Sequence, residues 1–369
     1  MKIISRYLLT EFLRPLSFIL AAFVGLYVIA QLVDEMRMFV NNHAPLTMVV
    51  LYYAYRVPYF TIQVMPLAVL LSALLSLGQL ARQNELIAMR SCGISFGQIT
   101  RPLLLASLGL VGLVMIFDEV IIPYTNPRAE YIKRINIEHK LDDSYNTQRD
   151  QITRSLPGHR VVYMRHVDAQ AGKMDEVIYL VLGAGMNILR RVDAQAAHYL
   201  HGQWIFNHGT ERLFNAEGQV SAYRTFASET LEFREAPRDF IRDEKDDHQL
   251  LSMPMRDLQS RIRTLKEAGS NTAKEEVNYH LKWAFPFANF VLALLGVGLP
   301  FIFPSGRRAL VGAAIGFVIT LATGFFYIGF IAVGTSLGNN GTLSPVVSVW
   351  LANVVFSLLG FWLMRRARS

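Results

Sequence analysis

A serine lies in the pattern that hydrolases use to expose a nucleophile. The segment Gly93 to Gly97 reads GISFG, a G-x-S-x-G sequence with Ser95 at its centre. The motif works where a strand precedes the serine and a helix follows it, with a histidine and an acid brought alongside by the fold. Here the preceding segment is polar and has a helical pattern. The sequence therefore argues against a hydrolase, and we expect Ser95 and the nearby Cys92 to serve only in packing.

Histidine could support metal chemistry, and three histidines occur close together. His198 and His201 are separated by two residues, and His208 follows. No cysteine or carboxylate joins them at the spacing of a zinc site, so we interpret them as ordinary histidines of a strand region. The nucleotide-binding pattern G-x-x-x-x-G-K-[ST] does not occur in the sequence. We therefore predict no metal site, catalytic residue or cofactor on this chain, and if it drives transport with energy, the motor lies on another polypeptide.

A charged residue inside an apolar segment is a stronger signal, because an arginine at the centre of a bilayer costs roughly 2.5 to 3.5 kcal/mol. Arg56 lies within the segment YYAYRVPYF. Its guanidinium could extend to the membrane surface beside its aromatic neighbours. Alternatively it faces a cavity, where Arg37, Lys133, Arg134 and Lys282 would complete a basic ring. Such a ring would suit the phosphate groups of an anionic amphiphile.

Two prolines follow in the same apolar segment, Pro58 and Pro66. Each removes a backbone donor, so the sequence predicts a bent helix. The bend could act as a gate or be a static kink, and the sequence does not decide between them.

The elements that carry these residues are membrane-spanning helices. Of the 369 residues, 52% are hydrophobic and only 18% are charged, which is typical of a membrane protein. One cysteine excludes an internal disulfide, and the net charge of +7 needs no nucleic-acid partner. Six apolar segments are long enough to cross a bilayer: Leu16 to Val33, and about Val49 to Leu77, Leu103 to Ile122, Leu281 to Phe303, Ala309 to Val333 and Val346 to Leu363.

Basic residues near these spans predict the orientation. Four clusters of basic residues that flank the spans fall on one face, which the positive-inside rule assigns to the cytoplasm together with both termini. They are Lys2, Arg6, Arg14, Arg82, Arg90, Arg101, Arg307, Arg308, Arg365, Arg366 and Arg368.

Residues 123–275 have a different pattern, with short alternating runs such as RVVYMRHV and DEVIYLVL between turn sequences. This pattern predicts an all-β sandwich or jelly roll, which the orientation of the spans places on the non-cytoplasmic side, with a short helix at about residues 253–269. The strand pairing stays open. The predicted fold is an α+β membrane protein, in which this jelly-roll-like domain is inserted between two three-helix halves at residues 1–122 and 276–369.

A short polar segment at about residues 80–95 connects the second and third spans on the predicted cytoplasmic face. Glu85 begins a helix that continues through Leu86 to Arg90, and Gly93 is positioned to end it. An ordinary polar turn is the alternative interpretation.

Several of these segments resemble one known family. MPLAVLLSALLSLGQLARQNELIAMRSCGIS is similar to a stretch shared by LptF and LptG, the permeases of the lipopolysaccharide exporter. NYHLKWAFPFANFVLALLGVGLP resembles their fourth span, and LGNNGTLSPVVSVWLANVVFSLLGFWLMRR their sixth. The LVDEM sequence and the spacing from Pro58 to Pro66 are closer to LptG. One position departs from the LptG pattern, because LptG relatives carry a lysine associated with substrate handling where this chain has Gln31. Arg37 lies close by and is the candidate to take over that role.

The resemblance implies a non-catalytic permease of a Gram-negative inner membrane that pairs with an LptF-like subunit. An LptB-like ATPase dimer would supply the energy. The β domain would pass lipopolysaccharide to an LptC-like or LptA-like periplasmic bridge. Residues 80–95 would form the coupling helix, in which Glu85 pairs with the ATPase, Leu86, Ile87 and Met89 seat the helix, and Arg90 lies beside them. A membrane-anchored sensor or assembly scaffold is the alternative function.

Overall fold

The computed structural model describes most of the chain. The described residues are 2–139, 148–156, 160–183, 187–200, 202–215, 218–230, 252–267, 271–299 and 309–368, together with Pro237, Phe240 and Leu250. Arg307, Arg308, His201 and Gly269 therefore lie outside the described residues.

Long apolar helices dominate the described structure, as the apolar segments predict. Each of six helical stretches is long and apolar enough to cross a membrane, which confirms the predicted number for the described residues. Their bounds are α1 (Lys2–Asn41), α2 (Leu46–Arg82), a composite third stretch from Phe96 to Ile137, α7 (Ala273–Gly298), α8 (Ala309–Asn339) and α9 (Pro345–Arg368). The short helix α3 (Glu85–Ser91) connects the second stretch to the third.

The third stretch changes its helical type along its length. It consists of α4 (Phe96–Ile116), a first π-helical segment (Phe117–Ile121), α5 (Ile122–Tyr131) and a second π-helical segment (Ile132–Ile137). Ile132 and Ile137 are buried with Phe39, Tyr52 and Phe60 from α1 and α2. This packing explains why the helix continues to Ile137, well past the residue 122 boundary expected from hydropathy.

Between the third and fourth stretches lies a β domain, as predicted. Strands β1 (Gln148–Leu156), β2 (Arg160–Asp168), β3 (Lys173–Leu182), β4 (Ile188–Leu200), β5 (Gln203–Phe214) and β6 (Val220–Thr230) form one antiparallel sheet in sequence order. Trp204 and Phe206 are fully buried, as the period of two requires for one face. A jelly roll pairs strands that are distant in sequence, whereas the described strands form a meander.

The chain divides into two compact units. The first contains residues Met1–Ile137, Asp247–Met255 and Ala273–Ser369, and the second contains Glu138–Asp246 and Arg256–Thr272. The first unit is the helical membrane bundle and the second holds the sheet and most of α6 (Met255–Glu267).

A buried polar network connects three helices of the second membrane half. The Tyr327 hydroxyl of α8 donates to Asn353 Oδ1 of α9, and Asn353 Nδ2 donates to the Ala284 carbonyl of α7 at 2.9 Å. Both side chains are buried. In an apolar bundle such a network orients helices whose packing is otherwise nonspecific.

Replacing Asn353 with alanine should destabilise this half by about 1 to 2 kcal/mol, because the Tyr327 hydroxyl is left buried without an acceptor. The thermal unfolding midpoint of the purified chain in detergent measures the loss. The double variant Asn353→Ala, Tyr327→Phe should recover part of it. A double variant at least as unstable as the sum of the two single variants would show that the network does not act as a unit.

Candidate functional site

The short helix α3 is held in place by defined backbone signals at both ends. The residue before it, Asn84, adopts a left-handed conformation with φ of 60°, which asparagine tolerates better than most residues. At its far end, the Ile94 amide donates to Met89 and the Gly93 amide donates to Arg90, with Gly93 at φ of 81°. These bonds form a Schellman motif and confirm Gly93 as the predicted stop.

Ser95 starts the next helix rather than a catalytic turn. Its hydroxyl accepts a hydrogen bond from the Gln98 amide at 3.3 Å, and its own amide donates to Gln98 Oε1 at 2.9 Å. This reciprocal pair is a capping box, which typically contributes about 1 kcal/mol to a helix start. The expectation that Ser95 and Cys92 serve only in packing is therefore corrected. The side chain of Ser95 is exposed and acts as the cap of α4, and Cys92 is exposed as well.

The two faces of α3 have different environments. Leu86 is buried in the core cluster of the bundle, and Met89 packs against the same cluster. Ile87 is 60% exposed and Arg90 is exposed on the other face. Leu86 and Met89 were expected to seat the helix in a groove on a partner. The burial of Leu86 and the packing of Met89 instead anchor α3 on its own bundle, and leave Ile87 and Arg90 facing outward.

Glu85 has a partner within the chain. Its Oε2 accepts a hydrogen bond from the hydroxyl of Tyr7 on α1 at 2.8 Å. The contact lies on the surface, and it connects α3 directly to the N-terminal helix. Sequence reasoning missed Tyr7, because the two residues are 78 positions apart.

At the opposite end of the bundle, where α1 turns into α2, a cluster of charges and tyrosines surrounds Glu35. Lys133 Nζ is 3.1 Å from Glu35 Oε1, and Arg56 Nη1 is 3.7 Å from the same oxygen. The Tyr52 hydroxyl donates to Oε1 and the Tyr53 hydroxyl to Oε2, each at 3.0 Å. We call these five residues the Glu35 cluster.

Arg56 is further held by aromatic rings. Its Nη1 donates to the Tyr52 hydroxyl, and its Cζ lies 5.5 Å from the ring centres of both Tyr52 and Phe60. Cation–π contacts of this kind stabilise a desolvated guanidinium. The side chain of Arg56 is therefore mostly buried, and its role in a cavity stays a prediction.

Lys282 and Arg134, the other paired members of the proposed basic ring, have their own carboxylates. Lys282 Nζ is 2.8 Å from Asp118 Oδ2, and the lysine side chain is only 1% exposed. Arg134 Nε is 2.9 Å from Glu130 Oε1 on the same helical stretch. Lys282 and Arg134 thus each have their own carboxylate, whereas Arg56 and Lys133 share Glu35, and these paired side chains do not form an open ring.

Arg37 differs from the other four basic residues. It lies on α1 two residues after Glu35, its side chain is exposed, and it forms no ion pair with any residue that the structure describes. Arg37 could therefore bind an external anion without first breaking an ion pair with a described residue.

The two prolines lie within a helix that does not break. α2 runs from Leu46 to Arg82 through both Pro58 and Pro66, and Pro66 is buried. Their roles as a gate or kink stay predictions.

Three acidic residues of the site were missed, namely Glu35, Asp118 and Glu119. A signal for Asp118 and Glu119 existed, because they stand in the third apolar stretch and a carboxylate at membrane depth needs a partner. Glu119 accepts hydrogen bonds from the Met255 amide at 3.0 and 3.1 Å. Glu35 had a weaker signal, since it lies near the end of its span, where charges are common.

Comparison with known proteins gives a consistent result over nearly the whole chain. Residues 6–366 match the family model described as lipopolysaccharide export system permease LptF/LptG. The chain is 25% identical to the permease protein LptG of Haemophilus influenzae, over 99% of both chains. It is 25% identical to LptG of Escherichia coli K12 over 82% of this chain and 81% of that one, and 24% identical to LptF of the same strain over 97% and 93%.

Proposed function

This chain belongs to the LptF/LptG family of lipopolysaccharide export system permeases, and from that membership we propose that it extracts lipopolysaccharide from the outer leaflet of a Gram-negative inner membrane. Its partners would be a second family permease and a separate ATPase dimer that binds ATP and Mg. The single observation that carries the proposal is the family match over residues 6–366, which covers both membrane halves and the β domain.

The orientation we propose places α3 and both termini in the cytoplasm and the β domain in the periplasm. Arg82, Arg90 and Arg101 surround α3, as the positive-inside rule requires of a cytoplasmic connection. The hydrogen bond from Tyr7 to Glu85 supports a common side for α3 and the N-terminus. The β domain would then be positioned to pass the lipid to an LptC-like or LptA-like bridge.

In this proposal α3 is the contact with the ATPase. A permease that transmits force needs a helix that cannot shift relative to its own bundle. The Schellman motif at Gly93, the capping box at Ser95 and the burial of Leu86 supply that rigidity. Glu85, Ile87 and Arg90 then provide a charged and an apolar contact for the partner.

The opposite end of the bundle would receive the phosphate groups of the lipid. Arg56 and Lys133 converge there, and Arg37 is exposed nearby. Arginine recognises phosphate through several donors at once, so this combination suits an anionic headgroup.

Purification with an LptB-like ATPase and an LptF-like permease tests the proposal directly. We expect the three chains to copurify and to hydrolyse ATP faster when lipopolysaccharide is added. If no ATPase binds, the permease function fails and a membrane-anchored sensor or scaffold becomes the better interpretation.

Removing charge at the lipid end distinguishes these functions further. The variant Arg37→Gln, Arg56→Gln should reduce lipopolysaccharide-stimulated ATP hydrolysis about tenfold, because each lost phosphate contact weakens substrate engagement. Arg128→Gln is the control for the loss of one arginine charge, at an arginine that stacks on Tyr124 at 4.3 Å, and each single variant, Arg37→Gln and Arg56→Gln, is compared with it. A scaffold would tolerate both sets of changes equally.

A further inference from the structure

We propose that Glu35 is an internal counter-ion that sets a charge threshold for the lipid, so that a phosphate monoester displaces it and the phosphodiester of a bulk phospholipid does not. This inference rests on the proposed function. Glu35 would thereby determine lipid specificity at the end of the bundle where α1 turns into α2, where sequence reasoning placed only cations.

The geometry shows a carboxylate that occupies the hydrogen-bond donors an external anion would need. Both Glu35 oxygens accept hydrogen bonds, Oε1 from Tyr52 and Lys133 and Oε2 from Tyr53, while Arg56 lies 3.7 Å from Oε1. A phosphate group accepts from the same kinds of donor, so it can replace the carboxylate without leaving a donor unpaired.

The charges make such an exchange possible for a strong anion only. The Glu35 cluster contains two cationic side chains and one carboxylate, so it retains a net charge of +1 with Glu35 in place. A phosphodiester carries one negative charge, which is no more than the Glu35 carboxylate already supplies. The phosphodiester therefore gains no charge interaction that would offset displacing Glu35. A monoester can bring a second negative charge, which pairs with the positive charge that Glu35 alone leaves unneutralised.

The charged side chains of the Glu35 cluster are largely buried but keep some solvent exposure, so an external anion can reach them. The side chains of Glu35, Arg56 and Lys133 are 15%, 19% and 24% exposed. At this burial, cations need an anion in the absence of ligand, since an unpaired charge away from water is costly. A permanently vacant pair of cations would instead bind the phospholipids that surround it.

Specificity of this kind comes from penalising the wrong ligand. Glu35 adds a competing charge that every ligand must overcome, and only the more highly charged headgroup gains enough to do so. The exposed Arg37 lies two residues along α1 and would make the first contact with the incoming headgroup.

The test measures selectivity rather than affinity alone. The full chain, purified as the complex it forms with its partners, is incubated with fluorescent lipopolysaccharide, and phosphatidylglycerol and phosphatidic acid are titrated as competitors. In the wild type, phosphatidic acid, a monoester, should displace the probe, and phosphatidylglycerol, a diester, should displace it poorly. In Glu35→Gln, phosphatidylglycerol should compete at least about fivefold better, because the competing charge is gone, although the single amide oxygen still accepts from one of the two tyrosines.

Asp34→Asn is the matched control. Asp34 is the neighbouring exposed carboxylate on α1 and forms no ion pair with any described residue, so it tests the loss of one negative charge alone. It should leave the ranking of the two competitors unchanged. Tyr53→Phe removes a hydrogen bond to Glu35 and no charge, so it should retain most of the wild-type selectivity if charge sets the threshold.

The outcomes separate the inference from the function on which it rests. Unchanged selectivity in Glu35→Gln, with normal lipopolysaccharide binding, overturns the counter-ion role and assigns Glu35 to structure alone. An equal gain in Asp34→Asn overturns it as well, since net charge would then be the cause. A wild-type complex that binds no lipopolysaccharide contradicts the proposed function itself.

Discussion

Replacing Glu85 with lysine should reduce lipopolysaccharide export at least about tenfold while the membrane bundle stays folded. Close charge pairs at protein interfaces have large coupling energies, and reversing one charge turns attraction into repulsion. The fold should tolerate the change, because Leu86 and the bonds at Gly93 hold α3 independently of Glu85. Copurification of the ATPase and lipid transport in proteoliposomes measure the loss.

A second variant isolates the internal contact of Glu85. Tyr7→Phe removes the 2.8 Å hydrogen bond without changing any charge, so transport should fall less than about twofold, as expected for an exposed bond. If Tyr7→Phe were as damaging as Glu85→Lys, the role of Glu85 would be to position α3. If Glu85→Lys retained both ATPase binding and transport, α3 would not be the coupling element.

Replacing Lys282 with methionine should destabilise the bundle by about 3 kcal/mol, the largest stability effect we expect. The lysine side chain is 1% exposed, and its removal leaves the Asp118 carboxylate without its cation. Breaking a buried pair in this way costs far more than the pair itself contributes. Asp118 is 19% exposed, so we expect the low end of the usual range. The thermal unfolding midpoint in detergent measures the loss.

The double variant Lys282→Met, Asp118→Leu should recover most of that stability, because no unpaired charge remains. Lys274→Met is the matched control on the same helix, where the lysine is exposed, and it should change the midpoint little. A single variant as stable as the wild type would mean that Lys282 is not needed by Asp118 and is free to meet the lipid, as sequence reasoning first suggested.

Much of the fold was predictable because it depends on local requirements. A bilayer needs about 20 apolar residues for each helical crossing, so six apolar runs suffice to locate six spans. The end of α3 was equally local, since Gly93 adopts a backbone conformation that glycine favours. Hydropathy failed at the end of the third stretch, where packing of Ile132 and Ile137 against α1 and α2 extends the helix beyond its apolar run.

The candidate site was only half predictable. Sequence reasoning found Arg56 and Lys282, because a cation at membrane depth is conspicuous by itself. It could not assign their partners. Glu35 and Lys133 are 98 positions apart, and Asp118 and Lys282 are 164 apart. With 29 acidic residues in the chain, any of several carboxylates could have been the partner of either cation.

By itself the sequence determined the membrane class, the six spans, the inserted β domain, the position of α3 and the family resemblance, because each depends on composition or on residues close together in the chain. Only the tertiary structure decided that the strands form a meander, that Leu86 faces inward, and that Glu35 pairs with both Arg56 and Lys133. These features depend on which faces of distant elements meet. That outcome is set by the packing of the bundle and the pairing of the sheet, and no local pattern of residues encodes it.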